Sequence, residues 1–481
     1  MEQAQLIRGK LRMRFYEPLM LLQAATQACM HNLAPRIPEP SPDRFNQSEE
    51  QLFHDFMNKM AQICDTRPGG STVTAVAALS YPDGVQYRFA SNQRSKGDLD
   101  QMEIFVTEIL QTLQDWTEET SLLVKTRVLR KVIAFTRPRL RGYVKAVATF
   151  SDECLRAGDL VPEVAQALKM LQEISSDANG PDLEEEAFFR NCAKLMMKIR
   201  KLSKSNTYKT FRDKANSNLA GQTNPWAEMR HAAGRLLSYF EGVQTLLEAR
   251  EQTKWAQLFY DFKVECIASS QPHPNPIVGR RKNVTAAEIL GRMTPSYEKS
   301  KLAGFQASAE ELQQFGLDEN IRKQANNKGF QPIVHAEVLV HASIHDLPDQ
   351  RYFGGWRYVG TSKPTCRLCD YYFRALVRTT GDFVQVRQSH GNLYPNWRAP
   401  DVSANANGTV DERESILNDM IVSVRQDAYR TLQDKTGEKK RHDSNTSRTY
   451  DRQAFSVQFS SLAEDDLEEL SSIMGGASLN D

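Results

Sequence analysis

The chain has 481 residues, with 61 Lys and Arg against 60 Asp and Glu, and 40% of its residues are hydrophobic. That apolar content excludes both a membrane bundle and a wholly disordered chain, and the length predicts about two to four domains. A net charge of +1 gives no global field for nucleic acid or an acidic surface, so any such preference must come from a local patch.

Seven Cys with no even spacing do not read as a disulfide scaffold, which favours a reducing compartment. The opening residues, MEQAQLIRGKLRMRFYEPLM, interleave charges with apolar side chains and lack the unbroken apolar core of a signal peptide. No run reaches the roughly 20 apolar residues that span a bilayer. A cytoplasmic or nuclear protein, with no membrane partner, is the expectation.

Residues 1–66 read as an N-terminal helical region, interrupted by the Pro-rich stretch from Pro35 to Pro42. The period then changes. Between residues 73 and 92 two β-rich runs flank a Pro82-Asp83-Gly84 turn, and Val85, Tyr87 and Phe89 alternate with Gln86 and Arg88. This period of two predicts a β-hairpin with a half-buried second strand.

From about residue 98 to 269 the chain reads almost wholly as helix, with apolar residues recurring at three and four and charge on the other faces. Residues 98–330 are assigned to this helical module, with a Pro-rich linker near 271–283. From 331 the composition turns mixed: helix (PIVHAEVLVHASIH), strand (WRYVGTS), helix (CRLCDYYFRALVRT), strand (DFVQVRQ) and the loop SHGNLYPNWRAP. That order predicts an α/β sheet layer. A Ser/Asn/Gly linker at 402–408 and a helix from Glu412 to about Gln433 complete a core at 331–433. Residues 434–481 form a polar, then acidic tail, expected to be flexible.

Two short patterns carry chemistry, His335-Ala336-Glu337 and Cys366-Arg367-Leu368-Cys369. Neither is specific alone. Each opens a predicted helix, with a strand between them. Two Cys three apart in a first helical turn lie on one face, so both sulfurs can reach one ion, and the positive helix end favours thiolates. Three protein ligands leave a fourth tetrahedral position for water, which separates a catalytic zinc from a structural one. Residues i and i+2 lie about 200° apart around a helix, so Glu337 suits a group flanking the metal better than a ligand to it.

The segments VHAEVLVH, YVGTSKPTCRLCDYYF and VRQSHGNLYPNW resemble the cytidine deaminase-like superfamily, and within it the OTT-type branch. The resemblance covers residues 331 to 400. It implies an α/β fold, a mixed sheet flanked by helices, here with a large all-α module inserted or attached N-terminally. It implies zinc held by His335, Cys366 and Cys369, and Glu337 as catalytic acid and base. The activity implied is that of a hydrolase acting on C–N bonds, deaminating a cytosine-type base in a nucleotide or single-stranded nucleic acid. Domains of this superfamily begin with a β-hairpin just before the H-x-E helix. Residues 73–92 are therefore assigned as the first two strands, with the helical module inserted before His335. Asn92, at the end of the second strand, matches a polar residue that contacts the sugar. One departure is Thr365, which separates Pro364 from Cys366 where many members have Pro directly before the first Cys.

Other readings compete for the same residues. Glu337, His341 and His345 stand at i, i+4 and i+8, one helix face and a rival metal set, although it leaves the Cys pair unused. A redox role for the C-x-x-C lacks its βαβ context. His390, Asn392, Tyr394 and Trp397 could stack on and hydrogen-bond a base, or the rings could simply cover the sheet edge. Ser362 or Thr365 is expected to cap the Cys helix. The basic runs Arg200 to Lys214 and 435–452 are solvated faces or phosphate contacts. The alternative function is a non-enzymatic interaction protein, with a zinc-stabilised deaminase-like scaffold and a helical module for an unknown protein partner.

Overall fold

The computed structural model describes residues 9–32, 48–180, 183–217, 224–277, 284–347, 351–401 and 410–437. The Pro-rich stretch 35–42, linker positions 278–283 and 402–408, and the basic and acidic segments from 438 onward lie outside the described residues.

Two helices come first, α1 (Gly9–Ala28) and α2 (Glu49–Ile63). Ser48 starts α2 with a capping box: its hydroxyl accepts from the Gln51 amide, and the Gln51 side chain accepts from the Ser48 amide, both at 3.2 Å. The period-two run then forms β1 (Thr74–Tyr81) and β2 (Gly84–Ser91), antiparallel from Thr74 opposite Ser91 to Tyr81 opposite Gly84. At Gly84, φ is +134°, and a Cβ there would meet the Asp261 carbonyl oxygen at 2.0 Å, so the turn needs glycine.

The helical stretch comprises α3 (Lys96–Gln114), α4 (Ser121–Phe135), α5 (Arg137–Arg156), α6 (Pro162–Ala178), α7 (Glu185–Ser203), α8 (Asn206–Asn216), α9 (Pro225–Glu251) and the short α10 (Gln257–Tyr260). It ends in a strand, β3 (Phe262–Ile267), where the sequence predicts more helix. This correction has a local cause. Phe262, Val264 and Cys266 alternate with Lys263 and Glu265, and β3 pairs in parallel with β2. Glu265 secures that pairing, meeting Arg88 at 2.9 Å and accepting from Gln86 at 2.8 Å.

After α11 (Ala286–Met293), α12 (Lys299–Glu311) and α13 (Leu317–Ala325) come α14 (Ala336–His345), β4 (Tyr358–Thr361), α15 (Arg367–Thr380), β5 (Gln385–Val386) and α16 (Val410–Asp434). The strands form one mixed sheet in the order β3-β2-β1-β4-β5. β1 runs antiparallel to both neighbours, while β4 and β5 are parallel. The fold is therefore mixed α/β with a large helical share.

The sheet separates two cores. Val76, Ala78, Val85, Tyr87 and Phe89 face one that α2 builds together with α3 to α10. Ala75, Ala77, Leu79 and Ala90 face the other, filled by α1 and by α11 to α16. Thus α1 and α2 lie in different cores although they are neighbours in sequence. Gly360 of β4 lets α2 approach: a Cβ there would lie 2.6 Å from Met57 atoms. Among the described residues, no helix is long and apolar enough to cross a membrane.

Candidate metal centre

The first turns of α14 and α15 meet at one point. His335 is the N-cap of α14 and Cys366 the N-cap of α15, both with extended backbone. The His335 Nδ1 lies 3.5 Å from Cys366 Sγ and 3.3 Å from Cys369 Sγ. Donor atoms of all three residues fall within 4.8 Å of one another.

The cap of α15 differs from expectation. Cys366 fills it itself, its sulfur accepting from the Cys369 amide at 3.5 Å. Ser362 instead accepts the Thr74 amide at 3.1 Å, and Thr365 donates to the Arg387 carbonyl at 2.9 Å, so both bind strands and loops. A sulfur in the cap position receives a helix amide and faces His335 at once.

Glu337 is 5% exposed and stands in the first turn of α14, outside the three donors. Burial raises its pKa above the usual carboxylate value; the His335 charge and a hydrogen bond from Cys369 oppose that rise only partly. Burial also opposes the Cys366 thiolate, but hydrogen bonds from Cys369 and His335, with the imidazolium charge, hold its pKa well below an ordinary thiol. Cys369 moves the other way, raised by burial and by its neighbour's negative charge. His335 is raised, because the Cys366 thiolate outweighs the cost of burying its charge. Cys366 is therefore the more acidic of the two sulfurs, and a bound cation would favour the thiolate form of both. Two sulfurs and one imidazole nitrogen at two helix N-termini form a donor set suited to zinc.

The surrounding loops tie the centre to the sheet. The Asn92 side-chain oxygen accepts from the Ala336 amide at 2.8 Å, and its amide donates to the Gly70 carbonyl at 2.8 Å. The Val334 amide donates to Ser270 Oγ at 2.8 Å, and Ser269 donates to the Ser91 carbonyl at 2.8 Å. The segment after β3 therefore steadies both the hairpin end and the approach to His335. Sequence reasoning missed Ser269 and Ser270; their one signal was position between the end of the stretch read as helix and a Pro-rich linker. Asp65 was also missed. It accepts from Thr72 at 2.7 Å and from Ser362 at 3.4 Å.

The loop after β5 flanks the start of α15. The Arg367 amide donates to the Asn392 carbonyl at 3.0 Å, and the His390 amide to the Thr365 carbonyl at 3.1 Å. His390 and Asn392 are buried, and Tyr394 is half-buried with its ring edge-on to His390 at 5.7 Å. Trp397 needs correction as a base-stacking candidate. It is fully buried, with the Phe15 ring at 5.6 Å and the Tyr372 ring at 6.3 Å, so the indole is spent on the core. The rival set also divides. His341 and His345 gather with Asp382, whereas Glu337 stays with the Cys pair. In the basic run, Arg200 lies over Phe240 and Lys214 over Trp226, so part of that charge packs on rings.

No curated protein and no solved structure matches the chain. Residues 334–401, the segment that carries His335, Glu337, Cys366 and Cys369, match the family model described as OTT_1508_deam-like deaminase.

Proposed function

We propose that this chain is a zinc-dependent deaminase that hydrolytically removes the exocyclic amine from a base, cytosine-type, in a nucleotide or nucleic acid. The observation that carries the reading is Glu337. A buried carboxyl with a raised pKa stands beside the His335, Cys366 and Cys369 donors without being one of them. A scaffold needs the three ligands alone; a hydrolase also needs a group that moves protons. The deaminase-family match over the same segment supports the assignment.

His335, Cys366 and Cys369 would hold the zinc, which when bound activates water near neutral pH and polarises the bond under attack. Glu337 takes a proton from the attacking water and returns one to the leaving amine, so that the C–N bond breaks and ammonia departs. Its raised pKa suits both halves of that transfer. Asn92 acts first on the protein: by holding the Ala336 amide it fixes the turn from which Glu337 projects. His390, Asn392 and Tyr394, on the loop flanking α15, are the residues assigned to the base, and Asn92 to the sugar. The hairpin and residues 331–433 form the catalytic layer, and the helical module between them is assigned to partner or polymer binding.

The test pairs metal content with activity in one variant. Glu337→Gln should retain zinc and lose deamination by a factor on the order of 100 to 10,000. Zinc loss in that variant, or unchanged turnover, would contradict the role of Glu337.

A further inference from the structure

A second group of metal-ligating side chains lies at the other end of α14. His341 and His345, four residues apart, share one face of the helix, and Asp382 reaches them from the loop after α15. Donor atoms of the three fall within 4.8 Å of one another. The cluster is enclosed: the side chains of His341, His345 and Asp382 are 3%, 16% and 15% exposed.

The central contact does not close as a hydrogen bond. His341 Nε2 stands 3.6 Å from Asp382 Oδ2, too far for N–H···O, and this buried nitrogen makes no hydrogen bond. Buried polar atoms are normally satisfied, so the gap calls for an occupant. Two ligands each about 2.0–2.1 Å from a tetrahedral zinc stand roughly 3.4 Å apart, close to the separation seen here.

Outer partners are also in place. Tyr372 meets His341 Nδ1 at 3.1 Å, which orients the ring with Nε2 toward Asp382. Arg357 holds the other Asp382 oxygen, Oδ1. Glu412 Oε1 lies 3.1 Å from His345 Nε2. Arg413 pairs with Asp346 at 3.3 Å, so the carboxylates of Asp382, Glu412 and Asp346 outnumber the guanidinium groups of Arg357 and Arg413. The local balance admits a dication.

We propose that His341, His345 and Asp382 bind a second divalent transition metal, zinc by its affinity for imidazole nitrogen with carboxylate oxygen, with Glu412 beside His345 to complete or steady the set. Its enclosure makes it a structural clip. It joins the end of α14 to the α15–β5 loop and to the start of α16, so the helix that presents His335 and Glu337 is held at both ends. This inference stands apart from the deaminase reading.

The experiment uses the full chain, stripped with a chelator, reloaded with cobalt(II) or zinc and counted by mass spectrometry. Wild type should hold about two metal ions, and Asp382→Asn or His345→Asn about one. The Cys366→Ser, Cys369→Ser double variant should keep one cobalt whose near-ultraviolet spectrum lacks sulfur-to-metal charge transfer. A single cobalt in wild type whose spectrum shows sulfur-to-metal charge transfer overturns the proposal, and that reading needs no variant to fold. A metal that survives the Cys changes yet is lost in Asp382→Asn supports it and removes the His335 centre instead, so the two sites are judged separately.

Discussion

The side-chain oxygen of Asn92 accepts a hydrogen bond from the amide of Ala336 at 2.8 Å, so the end of the hairpin caps the helix that carries Glu337. Both groups are buried. Asn92→Ala should leave that amide unsatisfied and cost about 1–3 kcal/mol of stability, with a parallel loss of zinc affinity. Denaturant unfolding and metal competition measure the two effects. A higher KM with unchanged stability would reduce Asn92 to a substrate contact.

Glu337 makes a second prediction, in the chelator-treated protein. Burial raises its folded pKa above the ordinary carboxylate value of 4.5, so folding favours the protonated carboxyl. Its stability contribution is therefore present below about pH 4.5 and is lost as pH rises through the folded pKa. Glu337→Gln, which never ionises, should melt at a higher temperature than wild type at pH 7, and the difference should vanish near pH 4. Equal melting at both pH values would mean that the carboxylate is not strained by its surroundings.

Arg139 meets Asp65 at 2.7 Å, and both side chains are almost fully buried. The pair joins α5 to the segment before β1, and Ser362 extends it to the approach of α15. Arg139→Met should cost about 3–5 kcal/mol, because it strands the Asp65 charge in a low-dielectric site. Adding Asp65→Asn should recover part of that loss. Urea titration of the single and double variants decides, and a single variant as stable as wild type would show the pair to be dispensable.

Trp397 and Tyr394 should separate by readout. Trp397→Ala removes a fully buried ring and should cost about 3–5 kcal/mol. Tyr394→Phe should leave the melting temperature nearly unchanged and raise KM for a base substrate. The opposite pattern would return Trp397 to the binding surface and Tyr394 to the core.

Local patterns made parts of this molecule legible from sequence. Alternation at Val85, Tyr87 and Phe89 marks a strand because every second side chain faces one core. The H-x-E and C-x-x-C spacings mark residues that the structure brings to one point. What stayed hidden depends on contacts remote in sequence. β3 carries the same alternation at Phe262, Val264 and Cys266, but six residues at the end of a long helical run are too few to overturn the helical reading. Asp382 becomes a partner of His341 only because α15 returns its C-terminal loop to α14. Trp397 sits in a polar, turn-rich stretch that looks exposed, yet α1, nearly the whole chain away, covers it.

The central claim is tested most directly by incubating the zinc-loaded protein with nucleosides, nucleotides, single-stranded DNA and RNA, and reading base conversion by mass. The account predicts conversion of a cytosine-type base to its uracil counterpart, with release of ammonia, and loss of that conversion in Glu337→Gln. No conversion in any pool by protein shown to hold zinc at the His335 centre would contradict it and favour the scaffold.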